Sequence, residues 1–288
     1  MKLAFTQQIE LTALNTAGSG ENLKLLRENQ AQFAFLQELY GRWAWNGEES
    51  MQGSPQNYLR SITRLWPNVE HFAIASDLVR TGTVADLMEL NGAKFSLGKH
   101  HSGTQGSGRH ILSALGITVD KTFDLVYLGY AQAADALENA TIKGFNLPGG
   151  SPVGAVSHAF ETLGKEMTML EFTNAQLKQV NRLYPLWFSY LIPANTYAGQ
   201  KKAIRTLAQS NLLVVREDVK EEVVYWVTKT IYENLPFFHS IHPATQGLSP
   251  HKAIHNLPIP LHPGAKRYYQ EMGLTLPPKT GFSKSNKV

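Results

Sequence analysis

An α/β fold is what the sequence predicts, and two observations carry the prediction. Short runs rich in β-branched and aromatic residues alternate with stretches of helical spacing along all 288 residues. The hydrophobic share of 43% is enough for a real core. At about 150 residues per domain the length suggests about two domains.

The strand-like runs are 9–14, 32–37, 71–75, 94–97, 124–128, 142–147 and 167–172. The clearest helix spans 218–234, where Asp218 and Glu221 give a capping-box-like start. In it Val219, Val223, Val227 and Ile231 recur every four residues on one face. The polar residues 279–288 read as a frayed end.

Composition removes several classes of function. With 27 Lys+Arg against 23 Asp+Glu, the net charge of +4 is far from the clustered excess of a nucleic-acid binder, so nucleic acid is not expected as a partner. Cysteine is absent, which excludes disulfide scaffolds, thiolate metal sites and cysteine nucleophiles together. The uncharged stretches near 144–160 and 184–199 are broken by Gly149, Gly150, Pro152, Pro185 and Pro193, and neither gives the ~20 apolar residues of a membrane span. Met1–Phe5 is followed by polar Thr6, Gln7 and Gln8, without the apolar run of a secretion signal.

Catalytic motifs fail at their chemical positions. Gly103 and Gly108 have phosphate-loop spacing, but Arg109 and His110 stand where Lys and Ser or Thr are needed. Gly18-Ser19-Gly20 lacks the third glycine of a dinucleotide fingerprint, and no Gly-x-Ser-x-Gly elbow occurs. Histidines 239, 242, 251, 255 and 262 crowd the last fifth of the chain. His251 and His255 have the spacing of two ligands on a helix, yet no Glu follows His251 and the segment lies between Pro250 and Pro258. They read as loop histidines, and no metal is expected.

Two helix starts look built for anions. Thr16 to Asn22 runs through small residues into a helix containing Leu23, Leu25 and Leu26. Residues 96–105 leave a strand and open the helix of Ile111, Leu112 and Leu115. Unpaired first-turn amides and hydroxyls at two facing starts would bind a small anion. The same residues would serve equally if Ser19 and Ser102 only cap their helices.

Four segments together resemble the TAXI-type solute-binding proteins of TRAP transporters: Thr16–Asn22, the Ser102-Gly103-Thr104 turn, Ile192–Gln200, and Leu261–Ala265 ahead of Tyr268-Tyr269. Their order and spacing match from about residue 9 to about residue 273. The resemblance implies a two-lobed, type II periplasmic-binding-protein-like α/β fold, each lobe a mixed or parallel sheet flanked by helices, with the ligand cleft between lobes. The first lobe would be discontinuous, 1–93 plus 197–288, and the second 94–196. It implies a monomeric periplasmic protein without catalysis or cofactor, which delivers a small carboxylate such as glutamate or 2-oxoglutarate to TRAP permease membrane subunits driven by an ion gradient.

The chain departs from the family pattern in three ways. His101 and Asn195 stand where relatives have Gly, and the helix after Gly103 carries extra glycines at 106 and 108. Relatives also place a signal peptide, a strand and a Gly- and Tyr-rich helix before the segment with which this chain opens. A truncation, a misassigned start codon or a shortened paralogue would each explain that, and a chain extended upstream is expected to be more stable.

The expected ligand contacts are Ser19, Asn22 and Gln37 from the first lobe. From the second they are Ser102, Gly103, Thr104 and Gln105, with Pro148 and Ser151 in the turn after Leu147. Gln37 alternatively caps a strand, and loop geometry explains the turn equally well. Tyr127, Tyr130, Tyr184 and Trp187 could wall the cleft but read more naturally as core. The rival readings are a His/Asp- or metal-dependent enzyme acting on small carboxylates, and a two-lobed sensor without a transporter.

Overall fold

The computed structural model describes residues 9–276, so the polar 279–288 segment lies outside the described residues. In chain order the first elements are α1 (Ser19–Arg27), β1 (Phe33–Gln37), α2 (Glu38–Asn46), β2 (Leu59–Val69), β3 (Phe72–Ala75) and β4 (Ala93–Ser96). Next come α3 (Gly103–Ala114), α4 (Val119–Thr122), β5 (Phe123–Val126), α5 (Tyr130–Glu138), β6 (Gly144–Asn146), α6 (Gly154–Leu163) and β7 (Met167–Met169). The chain closes with α7 (Asn174–Val180), β8 (Phe188–Ile192), β9 (Ile204–Arg216), α8 (Glu221–Glu233), α9 (Leu235–Ile241), α10 (Pro250–Ala253) and α11 (Pro263–Glu271).

Two sheets carry the α/β fold. In the first, β9 lies between β1 and β2 and also pairs with β8, and every pairing is antiparallel. The second is mixed, in the order β5-β4-β6-β3-β7, with β4 parallel to β5 and β6 and with β3 antiparallel to β6 and β7. The second sheet draws its strands from residues 72–169, so β3 belongs with it and β8 with the first.

The strand expected at 9–14 does not form. Leu11 and Leu14 are exposed there, and the first strand among the described residues is β1. A hydrophobic run without a neighbouring edge has nothing to satisfy its amides. Three strands were not anticipated: β2, β8 and β9. β9 buries Leu207, Ala208, Leu212, Val214 and Val215, but Gln209, Ser210 and Asn211 interrupt its apolar pattern. The Gln209 Oε1 accepts from the Leu39 amide at 2.9 Å in the first turn of α2.

The 218–234 helix forms as α8, with a different start and face. Asp218 pairs with Arg216 at 3.0 Å instead of capping, and the buried stripe is Val224, Tyr225, Val227, Thr228 and Tyr232. The larger apolar cluster runs through both sheets, joining Leu36 and Leu212 to Phe72 and Phe95, while a smaller one gathers around Phe145, Val156 and Tyr197. Among the described residues no helix is long and apolar enough to cross a membrane.

The chain passes from the first sheet to the second through Glu70 and His71, both fully buried. Asn146 fixes the pair: its Oδ1 accepts from the His71 amide at 3.0 Å and its Nδ2 donates to Glu70 Oε2 at 2.7 Å. Burial pushes the Glu70 carboxyl up from 4.5 to about 7, against the hydrogen bonds it receives. Burial draws His71 down to about 4, so its ring is neutral, with Nδ1 2.8 Å from the Val69 carbonyl and Nε2 2.7 Å from the Tyr197 hydroxyl.

The sign of the pH effect follows from linkage. Folding takes up a proton at Glu70 between 4.5 and about 7, so that contribution to stability is full below 4.5 and is lost as pH rises to about 7. His71 acts oppositely, but only below its ordinary 6.5. Because His71, His110 and His262 act oppositely in both proteins, the urea midpoint of the wild type is expected to fall relative to that of Glu70→Gln as pH rises from about 4.5 through about 7. An identical pH dependence in both proteins would contradict this role for Glu70.

Candidate functional site

A cavity of about 520 Å³ opens between the two sheets. The first-sheet side supplies the loop from Asn15 to Ser19, Asn22, the end of β1 from Phe35 to Gln37, and Asn68 and Asn211 from β2 and β9. The second-sheet side supplies Lys99, Ser102 to Thr104, and Leu128 to Gln132. The starts of three helices, α1, α3 and α5, therefore reach its wall. Helix starts carry unpaired amides and the positive end of the peptide dipole, so the wall favours negative charge.

Six of the nine expected contacts line this cavity: Ser19, Asn22, Gln37, Ser102, Gly103 and Thr104. Ser19 is not the N-cap of α1. Gly18 holds that place at φ 121°, and the Ser19 hydroxyl accepts from the Gln37 amide at 3.0 Å, tying α1 to the end of β1. Asn22 is engaged at both ends, accepting from the Thr16 hydroxyl at 2.7 Å and donating to the Phe35 carbonyl at 2.8 Å.

Gln37 starts a one-directional amide ladder. Its Nε2 donates to Asn68 Oδ1 at 3.4 Å, Asn68 Nδ2 donates to Asn211 Oδ1 at 3.1 Å, and Asn211 Nδ2 donates to the Trp66 carbonyl at 3.3 Å. A carbonyl only accepts, so the whole ladder is oriented from Trp66. The Gln37 Oε1 is left at the far end beside Gly103, buried and without a partner.

Ser102 does cap α3, its hydroxyl accepting from the Gln105 amide at 3.1 Å. The Thr104 hydroxyl lies 2.8 Å from the Tyr130 hydroxyl, which donates its proton to the Pro148 carbonyl at 2.6 Å. Tyr130 has one proton, so Thr104 donates to Tyr130. Burial raises the Tyr130 pKa, keeping that proton in place.

Gln105, Pro148 and Ser151 stand outside the lining. Gln105 turns back to accept from the His101 amide at 2.9 Å, Pro148 anchors Tyr130, and the Ser151 hydroxyl sits 3.5 Å from that of Tyr197. Of the four aromatic residues, only Tyr130 reaches the cavity. Tyr127 stacks on His100, while Tyr184 and Trp187 pack around His110.

Sequence reasoning missed Lys99, the α5 start, Asn68 and Asn211. Gly129-Tyr130 follows the 124–128 run just as the other two helix starts follow theirs, so that signal was present. Asn68 and Asn211 were hidden because their strands were.

Two of the late histidines, His242 and His262, have structural duties. His262 Nδ1 accepts from the Gly264 amide at 3.2 Å, capping α11, and burial lowers its pKa. His242 Nδ1 accepts from the Ala244 amide at 3.1 Å, which leaves its Nε2 to donate to the Pro152 carbonyl at 3.1 Å. Among the described residues, one group could hold a metal by distance: Asp135, Glu138 and His158, all exposed on α5 and α6 and away from the cavity lining.

The two sides of the cavity meet backbone to backbone. The Glu21 amide of α1 donates to the His101 carbonyl at 3.2 Å, and a Cβ on Gly20 would overlap that carbonyl oxygen. A Cβ on Gly103 would lie 2.8 Å from Ser19 Oγ and 2.9 Å from Gln37 Oε1. The Tyr40 hydroxyl donates to the Ser102 carbonyl at 3.0 Å with its ring against Gly106, where a side chain would overlap it. Gly108 makes similar room for Leu97. His101 at φ 60° and Asn195 at φ 63° both hold left-handed backbone, the conformation for which glycine is best suited.

A family model described as the NMT1-like family matches residues 1–273. Among solved structures, the chain is similar to the periplasmic aliphatic sulphonate binding protein SsuA of Escherichia coli, with 12% identity, 89% of this chain and 70% of that one covered, and a TM-score of 0.43. It is similar to the ligand-binding component of an ABC-type import system of Staphylococcus aureus with zinc bound, at 12% identity, 85% and 71% coverage, and a TM-score of 0.46. A protein of Bordetella bronchiseptica RB50 gives 14% identity, 80% coverage of this chain and a TM-score of 0.49, and the chain spans 64% of its length.

Substitutions at the contact between α1 and α3 should act in opposite directions. Gly20→Ala is expected to destabilise by about 1–3 kcal/mol, because a backbone carbonyl must move. His101→Gly keeps that carbonyl and removes left-handed strain, and should stabilise by up to about 1 kcal/mol. Thermal melts read both, and a neutral Gly20→Ala would contradict the close approach.

Proposed function

Because the chain belongs to the NMT1-like family, we propose that it is a solute-binding protein that captures a small carboxylate between two lobes. The carrying observation is the convergence of the α1, α3 and α5 starts, contributed by both sheets, on one cavity. The finer reading is a TAXI-type subunit that hands a glutamate- or 2-oxoglutarate-like solute to a TRAP permease in the periplasm, without converting it.

In this reading the lobes are 1–93 plus 197–288 and 94–196, with 72–75 lying in the second sheet and 188–192 in the first. Solute touching both sides shifts the population toward the closed form, which the permease recognises. The ligand carboxylate accepts from the first-turn amides of α3 and from the Ser102 hydroxyl, whose lone pair is used by Gln105 and whose proton is not. A two-lobed sensor without a transporter is the second reading. The continuous apolar cluster through both sheets favours it, since such a cluster resists wide opening.

A thermal-shift screen over glutamate, glutamine, 2-oxoglutarate and related acids should raise the melting temperature with one class and yield no product. Consumption of the acid would overturn the binding reading. Ser102→Ala should weaken binding about ten- to a hundredfold, the loss of a donor to a charged group. Thr104→Ala should cost less than about threefold, because its proton is committed to Tyr130 and its amide remains. Equal losses in calorimetric titrations would remove this assignment of donors.

A further inference from the structure

Lys99 is the one charged side chain among the residues that line the cavity. It follows β4 by three residues, is exposed, and has no ion-pair partner among the described residues. Its stem runs over the α5 start, where a Cβ on Gly129 would lie 3.1 Å from Lys99 Cε. No Asp or Glu lines the same cavity. The helices whose starts reach the wall are long enough to carry a dipole, at 9, 12 and 9 residues.

At roughly half a charge per helix start, three starts and an ammonium supply between two and three positive charges, of which the Glu21 carboxylate in the first turn of α1, accepting from the Ala17 amide, offsets one. A single carboxylate leaves part of that charge unmatched. The helix starts are joined by a second sign of an absent ligand: Gln37 is 5% exposed, lines the cavity, and holds its Oε1 without a partner. A ligand donor is what that oxygen requires, so the charge excess and the open acceptor point to one occupant.

We propose that Lys99 is the specificity-determining residue of the site, reading a second acid group on the ligand and so favouring a dicarboxylate over its half-amide. This rests on the small-carboxylate reading above. The first acid group binds at the α3 start, and the second comes to the Lys99 ammonium at the cavity edge near Gly129. There the charge is exposed and partly screened, so Lys99 sorts ligands and is not the whole of their affinity.

The test uses matched pairs that differ only in the second group, glutamate against glutamine and glutarate against glutaramate. Both members of the first pair keep the amine that Gln37 Oε1 could accept from. Calorimetric titration of the full chain should give about a three- to fivefold preference for the acid in whichever pair binds. Lys99→Met should bring the ratio near one while leaving amide affinity within about threefold, and Lys99→Arg should restore the preference. Salt should erode the preference in the wild type and leave Lys99→Met unaffected.

A wild-type ratio near one, or a ratio that survives in Lys99→Met at an unchanged melting temperature, overturns the role of Lys99 and leaves carboxylate binding standing. Failure of all four compounds to bind the wild type overturns the carboxylate reading and this proposal with it.

Discussion

The approach of the α1 start to the α3 start, backbone against backbone, is the constraint on which the site depends. Gly20 and Gly103 leave no Cβ in the gap, so the His101 carbonyl reaches the Glu21 amide and Ser19 and Gln37 lie directly on Gly103. Side chains at these positions would hold the two helix starts apart, and their amides would face separate patches of solvent. The left-handed turn at His101 is part of the same geometry, since it aims the carbonyl at α1.

Around that contact the polar groups are oriented by groups that have no freedom. The Trp66 carbonyl sets Asn211, Asn68 and Gln37 in turn, and the Pro148 carbonyl sets Tyr130 and through it Thr104. Such networks hold the hydroxyls and amides of the wall in fixed roles before any ligand arrives, which limits the ordering cost of binding. The crossing between the sheets at Glu70 and His71 is organised in the same way, around the side chain of Asn146.

Much of the fold was legible because short strands followed by small residues and a helix repeat a plain pattern. β1, β3, β4, β5, β6 and β7 fall on six of the predicted runs. β9 was not legible, because Gln209, Ser210 and Asn211 look like a break until the partners of Gln209 and Asn211 are seen. Of the site, the α1 and α3 starts could be read from Gly, Ser and Thr clusters. The amide ladder could not, since Gln37, Asn68 and Asn211 are brought together only by the pairing of β1 and β2 with β9. Late histidines drew notice as ligands, whereas His242 and His262 are helix caps, a duty that spacing alone does not reveal.

If a carboxylate is captured between the helix starts, a crystal structure grown with saturating glutamate or 2-oxoglutarate will show it most directly. One carboxylate should then lie at about 2.7–3.2 Å from the Gly103 amide and the Ser102 hydroxyl, in the cavity between the two sheets. Ligand bound at another surface, with that cavity filled only by water, would contradict capture between the lobes.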